Sequence, residues 1–498
     1  MDLFANLALG FSVAFTLQNL FYGFIGVLVG TLIGVLPGIG PLATISMLLP
    51  LTYAVSPVAA LIMLAGIYYG AQYGGSTTAI LVNLPGETSN VVTCLDGYQM
   101  ARQGRAGPAL AIAAIGSFIA GTIGTLLIAV AGPPLAEFAL KFGAPEYFSL
   151  MLMGLVAAAA LTQGDTIKSL AMVVMGVLFG LVGTDVSTGV LRFAFGIREL
   201  FDGVGFIVVA VGVFAIGEII NNLAQPSAQR VFNVKITNLW LSWADFRQSL
   251  APILRGTALG SFFGVLPGTG PAVASFSSYM LEQKLAKDPS RFGKGAIEGV
   301  AGPEAANNAD AQCKFIPMLT LGLPASAVMA LMLGAMTLHG IQPGPEVMTQ
   351  RPELFWGLIA SMWVGNLVLV ILNLPLVGLW VKLLKVPYRI LFPAIIAFSA
   401  IGIYSGSNSS VDLYLAALFG VLGFVWVKLG FNLAPMLLGF VLGPLLEENL
   451  RRAMLVARGD PTVFFIRPIS LCFMVVTVVI LVVMIVPAVR RKHEIGGR

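Results

Sequence analysis

Asp310 and Lys314 stand four residues apart in "NNADAQCKF", within an apolar region of the chain. On a helix that spacing puts both on one face, close enough to pair. A charge at membrane depth costs at least ~2.5 kcal/mol, so an intramembrane pair is a functional candidate by default. Lys314 either stands in for a bound cation or binds an anionic ligand, with Asp310 holding it; the plainer alternative is a segment near the inner surface where both side chains snorkel to water. A second chemistry lies in the backbone of "GVLPGIGP" at residues 34–41 and "GVLPGTGP" at residues 264–271. A Pro-Gly pair removes a donor and frees carbonyls, and a helix restarting after it offers free N–H groups and a partial positive end to an anion. Pro37, Gly38, Gly40 and Pro41, with Pro267, Gly268, Thr269 and Gly270, are therefore candidate anion ligands, and Thr44 and Thr269 add hydroxyls. A sodium ion needs the opposite, oxygen ligands from unwound carbonyls and polar side chains. Gly74, Gly75, Ser76, Thr77, Asn83, Asn307 and Asn308 offer these, with Asp310 beside them. For each hydroxyl the plainer role is capping or an interhelical hydrogen bond. Glu87 and Glu304 are weaker candidates, either ion or proton sites or simply polar loop residues.

Such groups need elements to hold them, and composition says which. Hydrophobic residues make up 57% of the 498 and charged residues only 10%, with a mean hydropathy of +0.91. Soluble domains carry about 25% charged residues, so this is an integral membrane protein. At ~20 apolar residues per helix, roughly eleven crossings fit. The fold expected is all-α and polytopic. The start "MDLFANLALGF" has no basic n-region or small-residue cleavage site, so no signal cleavage is expected. Cys94, Cys313 and Cys472 lie far apart without CxxC spacing, and there are two histidines, so neither a disulfide framework nor a metal centre is supported. The net charge of +5 sits in short loops, a pattern that sets topology rather than attracting nucleic acid.

"GTLIGVLPGIGPLATISMLLP" from Gly30 aligns without gaps on "GSFFGVLPGTGPAVASFSSYM" from Gly260. Each copy is followed by a second proline-broken segment, with Leu84-Pro85 in one matching Leu323-Pro324 in the other. Non-helical backbone in a bilayer is tolerated only where protein buries it or a cavity lines it. Matched breaks in two halves are the sequence pointer to a transporter's midplane site. Four parts follow: a first repeat half at 1–225 (tip 37–41, broken segment 68–89), a cytoplasmic linker with an interfacial helix at 226–253, a second half at 254–445 (tip 267–271, broken segment 307–326), and a C-terminal loop and last helix at 446–498.

Loop charges orient the halves. No Lys or Arg precedes Arg102, whereas Arg247 and Arg255 precede the second motif and Lys284, Lys287, Arg291 and Lys294 follow it. By the positive-inside tendency each motif enters and leaves on one side, the first outside and the second inside. Each is then the tip of a re-entrant hairpin in an inverted-topology repeat. One stretch resists: "EENLRRAMLVARGDPTVFFIRP" carries four arginines on the expected outer side.

The segments "YYGAQYGGSTTAILVNLPGE", "DGYQMARQGRAGPAL", "GVLPGTGPAVASFSSYMLEQKLAKDP", "EGVAGPEAANNA" and "LTLGLPASAVMALMLGAMTLHGIQPGP" together resemble the large membrane subunit of the tripartite tricarboxylate transporters. The resemblance runs over nearly the whole chain. It implies a bacterial inner-membrane permease that works with a small four-helix membrane subunit and a periplasmic solute-binding protein. It also implies uptake of citrate or other carboxylates, driven by Na+ or H+, with no other cofactor. After "PEAANNA" the family usually continues with small residues, and here "DAQCKF" brings in Asp310 and Lys314. A membrane-embedded enzyme and a channel are the competing classes. The chain has no HExxH, GxSxG or P-loop lysine, and inverted hairpins favour alternating access over a continuous pore.

Overall fold

The structure is a computed structural model and describes residues 3–36, 40–162, 165–185, 188–224, 239, 241–383 and 388–496. The expectations for Pro37 and Gly38, and for residues 226–238 and 240 of the 226–253 linker, fall outside these residues. The chain is helical, and its strands are a two-stranded ribbon pairing Gly183–Thr184 with Leu191–Arg192. It begins with α1 (Leu3–Ala14), the arms α2 (Leu17–Val35) and α3 (Pro41–Leu48), then α4 (Pro57–Val82) and α5 (Val91–Arg102). There follow α6 (Ala106–Ala139), α7 (Ala144–Leu161), α8 (Thr166–Gly180) and α9 (Phe206–Ala224). The later part repeats the opening: arms α10 (Trp243–Val265) and α11 (Pro271–Leu285), then α12 (Glu298–Cys313), α13 (Phe315–Leu321) and α14 (Ala327–Leu338). It ends with α15 (Pro352–Asn373), α16 (Tyr388–Ser407), α17 (Ser410–Lys428), α18 (Ala434–Val456) and α19 (Pro468–Gly496), joined by short helices.

Six of the described helices, α2, α6, α7, α9, α15 and α17, are long and apolar enough to cross a membrane, and five shorter apolar helices accompany them. The protein is therefore an all-α, multi-pass membrane protein. The two helices that carry the polar clusters, α4 and α12, are not among the six. Every residue from Ala59 to Val82 and from Gly299 to Cys313 is buried, so these helices meet protein on all sides and need no lipid-compatible face.

Glycine lets them pack so closely. Gly26, Gly30 and Gly34 of α2 lie against the backbone of Met63, Ile67 and Ala71 of α4, and Gly256, Gly260 and Gly264 of α10 lie against Gly302, Ala306 and Asp310 of α12. The two triads have the same four-residue spacing and the same relation to their partners, the small-residue packing that membrane helices use. Met63–Pro85 and Gly302–Pro324 then correspond without a gap, ending at Asn83-Leu84-Pro85 and Gly322-Leu323-Pro324. Asn83 (φ 57°) and Gly322 (φ 66°) are both left-handed. There the chain reverses rather than merely unwinding: Gly86 returns to the backbone of Gly34 and Gly75, and α5 then runs alongside the end of α4, with Gly97 beside Ile80.

Contacts between loops report which ends share a side. Arg105 pairs with Asp245 at 2.6 Å, and Gln103 donates to the Lys294 carbonyl at 2.8 Å. Tyr53 and His339 lie with ring centroids 6.5 Å apart. Three of the four arginines of the resisting stretch are matched by acids: Arg451 bridges Asp185 (2.8 Å) and Glu447 (2.6 Å), Arg452 pairs with Glu448 (2.5 Å), and Arg467 with Glu146 (2.5 Å). Arg192 joins Glu447 at 2.8 Å. These pairs tie the stretch to the Asp185 turn and to the start of α7.

Candidate functional site

Of the second tip, Gly268 has φ +80° and its N–H donates to the Ala325 carbonyl at 3.0 Å. A Cβ there would strike the backbone of Ala157 and Ala158 in α7, so only glycine fits. The Thr269 hydroxyl lies 2.5 Å from the Phe263 carbonyl and 2.8 Å from that of Leu266, capping the end of α10. Gly270 caps α11, whose first residue is Pro271, as Gly40 caps α3 before Pro41. Proline fits at a first helical position because its missing N–H has no intrahelical partner there. A side chain added at Gly40 or Gly270 would meet nothing within 4 Å.

Both face one cavity of about 610 Å³. Its wall takes Gly40 and Pro41 from the first tip, Gly268 to Pro271 from the second, Pro85 to Thr88 from the return after α4, and Ser326 to Val328 from the return after α13. Tyr68 of α4, Thr162, Glu218 of α9, and Asn432, Ala434 and Leu438 complete much of it. Helix starts dominate this wall: α3, α11, α14 with Ser326 accepting from the Met329 N–H at 3.4 Å, and the 3-10 turn Thr88–Asn90. A helix start binds an anion where its first N–H groups stay free; here the Gly40 N–H donates to Glu218 and the Met329 N–H to Ser326. The described wall holds two carboxylates, Glu87 and Glu218, and no Lys, Arg or His. Glu87 accepts from the Gln72 amide at 3.0 Å, and Glu218 accepts from the Gly40 N–H at 3.4 Å.

The other sequence candidates fall elsewhere. Thr44 donates to the Gly40 carbonyl at 3.0 Å and is buried behind the tip, outside the wall. Lys314 pairs with Asp310 as the spacing requires, but both are 0% exposed. The pair is enclosed between α12 and its neighbours, so it neither snorkels to water nor reaches the cavity, because the ammonium is turned back onto its own helix. Gly74 packs on the α2 backbone and Gly75 leaves room for Asn90. Ser76 faces Glu304 at 2.6 Å, Thr77 borders a small void with Ser117, and Asn83 is exposed at the reversal. Asn308 donates to Ser117 at 2.7 Å, while the buried Asn307 amide has no hydrogen-bond partner among the described residues. Sequence reasoning missed Glu218, Asn90 and Thr93. The one available signal for Glu218 was a lone acid in the apolar run "FIVVAVGVFAIGEII".

Two helix starts that follow Pro-Gly motifs and the turns after α4 and α13 meet at one cavity in a multi-pass membrane protein, the kind of place where transporters set their binding sites. Residues 20–438 match the family described as "Tripartite tricarboxylate transporter TctA family", and the chain belongs to it. The chain is 59% identical to the "Uncharacterized 52.8 kDa protein in TAR-I ttuC' 3'region" of Agrobacterium vitis, over 99% of this chain and 98% of that protein. It is 58% identical to the "Uncharacterized protein in TAR-II ttuC' 3'region" of the same organism, over 47% of this chain and 97% of that protein. No solved structure matches the chain.

Proposed function

We propose that this chain forms the substrate path of a binding-protein-dependent carboxylate importer in a bacterial inner membrane, working with a small four-helix membrane subunit and a periplasmic solute-binding protein. The carrying observation is the convergence of both LPGxGP tips and both reversals on one 610 Å³ cavity. A carboxylate fits the helix starts in its wall, where N–H donors bind an anion without a fixed positive charge. Glu87 and Glu218 oppose that anion. Substrate charges beside two carboxylates in a low-dielectric site require accompanying cations, which supports coupling to Na+ or H+. The two halves act as inverted repeats that expose this cavity alternately to the two sides.

The test is uptake of radiolabelled citrate and a panel of other carboxylates into proteoliposomes holding this chain, its small partner and the cognate binding protein, with and without an inward sodium gradient. Accumulation that requires the binding protein is expected; no uptake of any carboxylate would sink the substrate class. Gly270→Val points a side chain whose first carbon meets nothing toward the cavity and gives α11 a poorer cap, so it is expected to abolish accumulation while lowering the thermal midpoint only slightly.

A further inference from the structure

We infer that Glu304, Ser76, Asn90 and Thr93 form a monovalent-cation site, with sodium as its ion. The inference deepens the reading of a cation-coupled importer and rests on it for purpose, but its geometry stands apart from the cavity wall.

Glu304 lies in α12 and is 1% exposed. Its described partners are Ser76 Oγ at 2.6 Å, Thr93 Oγ1, and Asn90 Nδ2 at 3.4 Å; no cationic side chain pairs with it among the described residues. A carboxylate withdrawn from water without a cation is strongly disfavoured, so the arrangement is one positive charge short. The surrounding groups are those a hard cation takes. Ser76 Oγ also lies 3.0 Å from the Gln72 carbonyl, and its single proton cannot serve both that carbonyl and Glu304. Asn90 is 0% exposed, and its amide nitrogen is 3.2 Å from Ser76 Oγ. Its Oδ1 is buried with no hydrogen-bond partner among the described residues. That oxygen lies against Gly75, so Asn90 turns its amide nitrogen toward Glu304 and supplies a donor but no charge.

Charge selects the ion. One carboxylate with the Ser76 and Thr93 hydroxyl oxygens balances a single positive charge and leaves a divalent ion uncompensated. The described residues hold no group of three or more His, Cys, Asp and Glu that would suit such an ion. Position gives the ion something to do. Ser76 sits on α4, Asn90 and Thr93 follow the first reversal, and Glu304 comes from α12, 228 residues from Ser76. Asn90 is two residues beyond Thr88 in the cavity wall. A bound ion would tie that return segment to the second half and hold this side of the cavity in place.

The experiment uses the purified full chain in detergent, without substrate or partner subunits. Sodium chloride is titrated against choline chloride at constant ionic strength, and the thermal midpoint and 22Na+ binding by equilibrium dialysis are both read. Saturable stabilisation by sodium, weaker with potassium, is expected. Glu304→Gln should remove it, since glutamine keeps the shape and loses the charge. Thr93→Val should weaken sodium binding about tenfold or more. If Glu304→Gln fails to fold, Thr93→Val and the dialysis still decide. Three results would overturn the site: no saturable sodium binding by the wild-type chain, binding unchanged in both variants, or stabilisation that follows pH and ignores sodium. Because no carboxylate is present, sodium binding here without uptake in proteoliposomes would leave the site standing and defeat the transport reading.

Discussion

Lys314 and Asp310 illustrate what spacing tells and what it leaves out. The four-residue separation announced a pair and the structure forms it, yet enclosure at 0% exposure depends on α10 and the backbone approach at Gly264, which no local pattern encodes. Breaking one partner of an enclosed pair leaves an unpaired buried charge. Lys314→Ala is therefore expected to destabilise the fold by about 3–5 kcal/mol. The double change Lys314→Met with Asp310→Leu should recover most of that loss in a denaturation series, and should retain substrate affinity because neither residue lines the cavity. Retained stability in Lys314→Ala would contradict the enclosed pair. Lost affinity in a well-folded double variant would show that the pair reaches substrate after all. Glu218 shows the opposite limit: its 3.4 Å contact with the Gly40 N–H joins residues 178 apart in sequence, so nothing near it marked it as part of the site.

At the scale of elements, the repeated Pro-Gly sentence was legible because its chemistry is local. Proline at the first helical position and glycine before it fix where α3 and α11 start. The reversals were read only as breaks, since a Leu-Pro pair shows that a helix stops but not that the chain turns back to a tip. The glycine triads carry the packing. Gly260→Val would drive its side chain into the Ala306 carbonyl and is expected to destabilise by about 1–3 kcal/mol, seen as a lower thermal midpoint. Gly270→Val, ten residues on, should lower that midpoint by less, through the poorer α11 cap alone. Equal effects at the two positions would contradict the separation of packing glycine from cavity glycine. Gly322→Ala, at φ 66°, should cost about 1–2 kcal/mol by the same measurement, and no loss would contradict the left-handed reversal.

For the molecule as a whole, hydropathy announced a polytopic membrane protein but ranked its helices by lipid contact. It therefore says least about α4 and α12, which touch protein throughout and carry most of the candidate polar groups. Arg451 and Arg467 stood out when counted singly, and their partners Asp185 and Glu146 lie far back in the chain. The central claim is that the two tips wall one substrate cavity. It is tested in a chain whose Cys94, Cys313 and Cys472 are replaced, by placing Gly40→Cys and Gly270→Cys separately and measuring maleimide labelling with and without a carboxylate that the uptake panel shows to be accumulated. Slowed labelling at both positions by the same carboxylate is predicted. Protection at one tip only, or at neither while uptake persists, would contradict it.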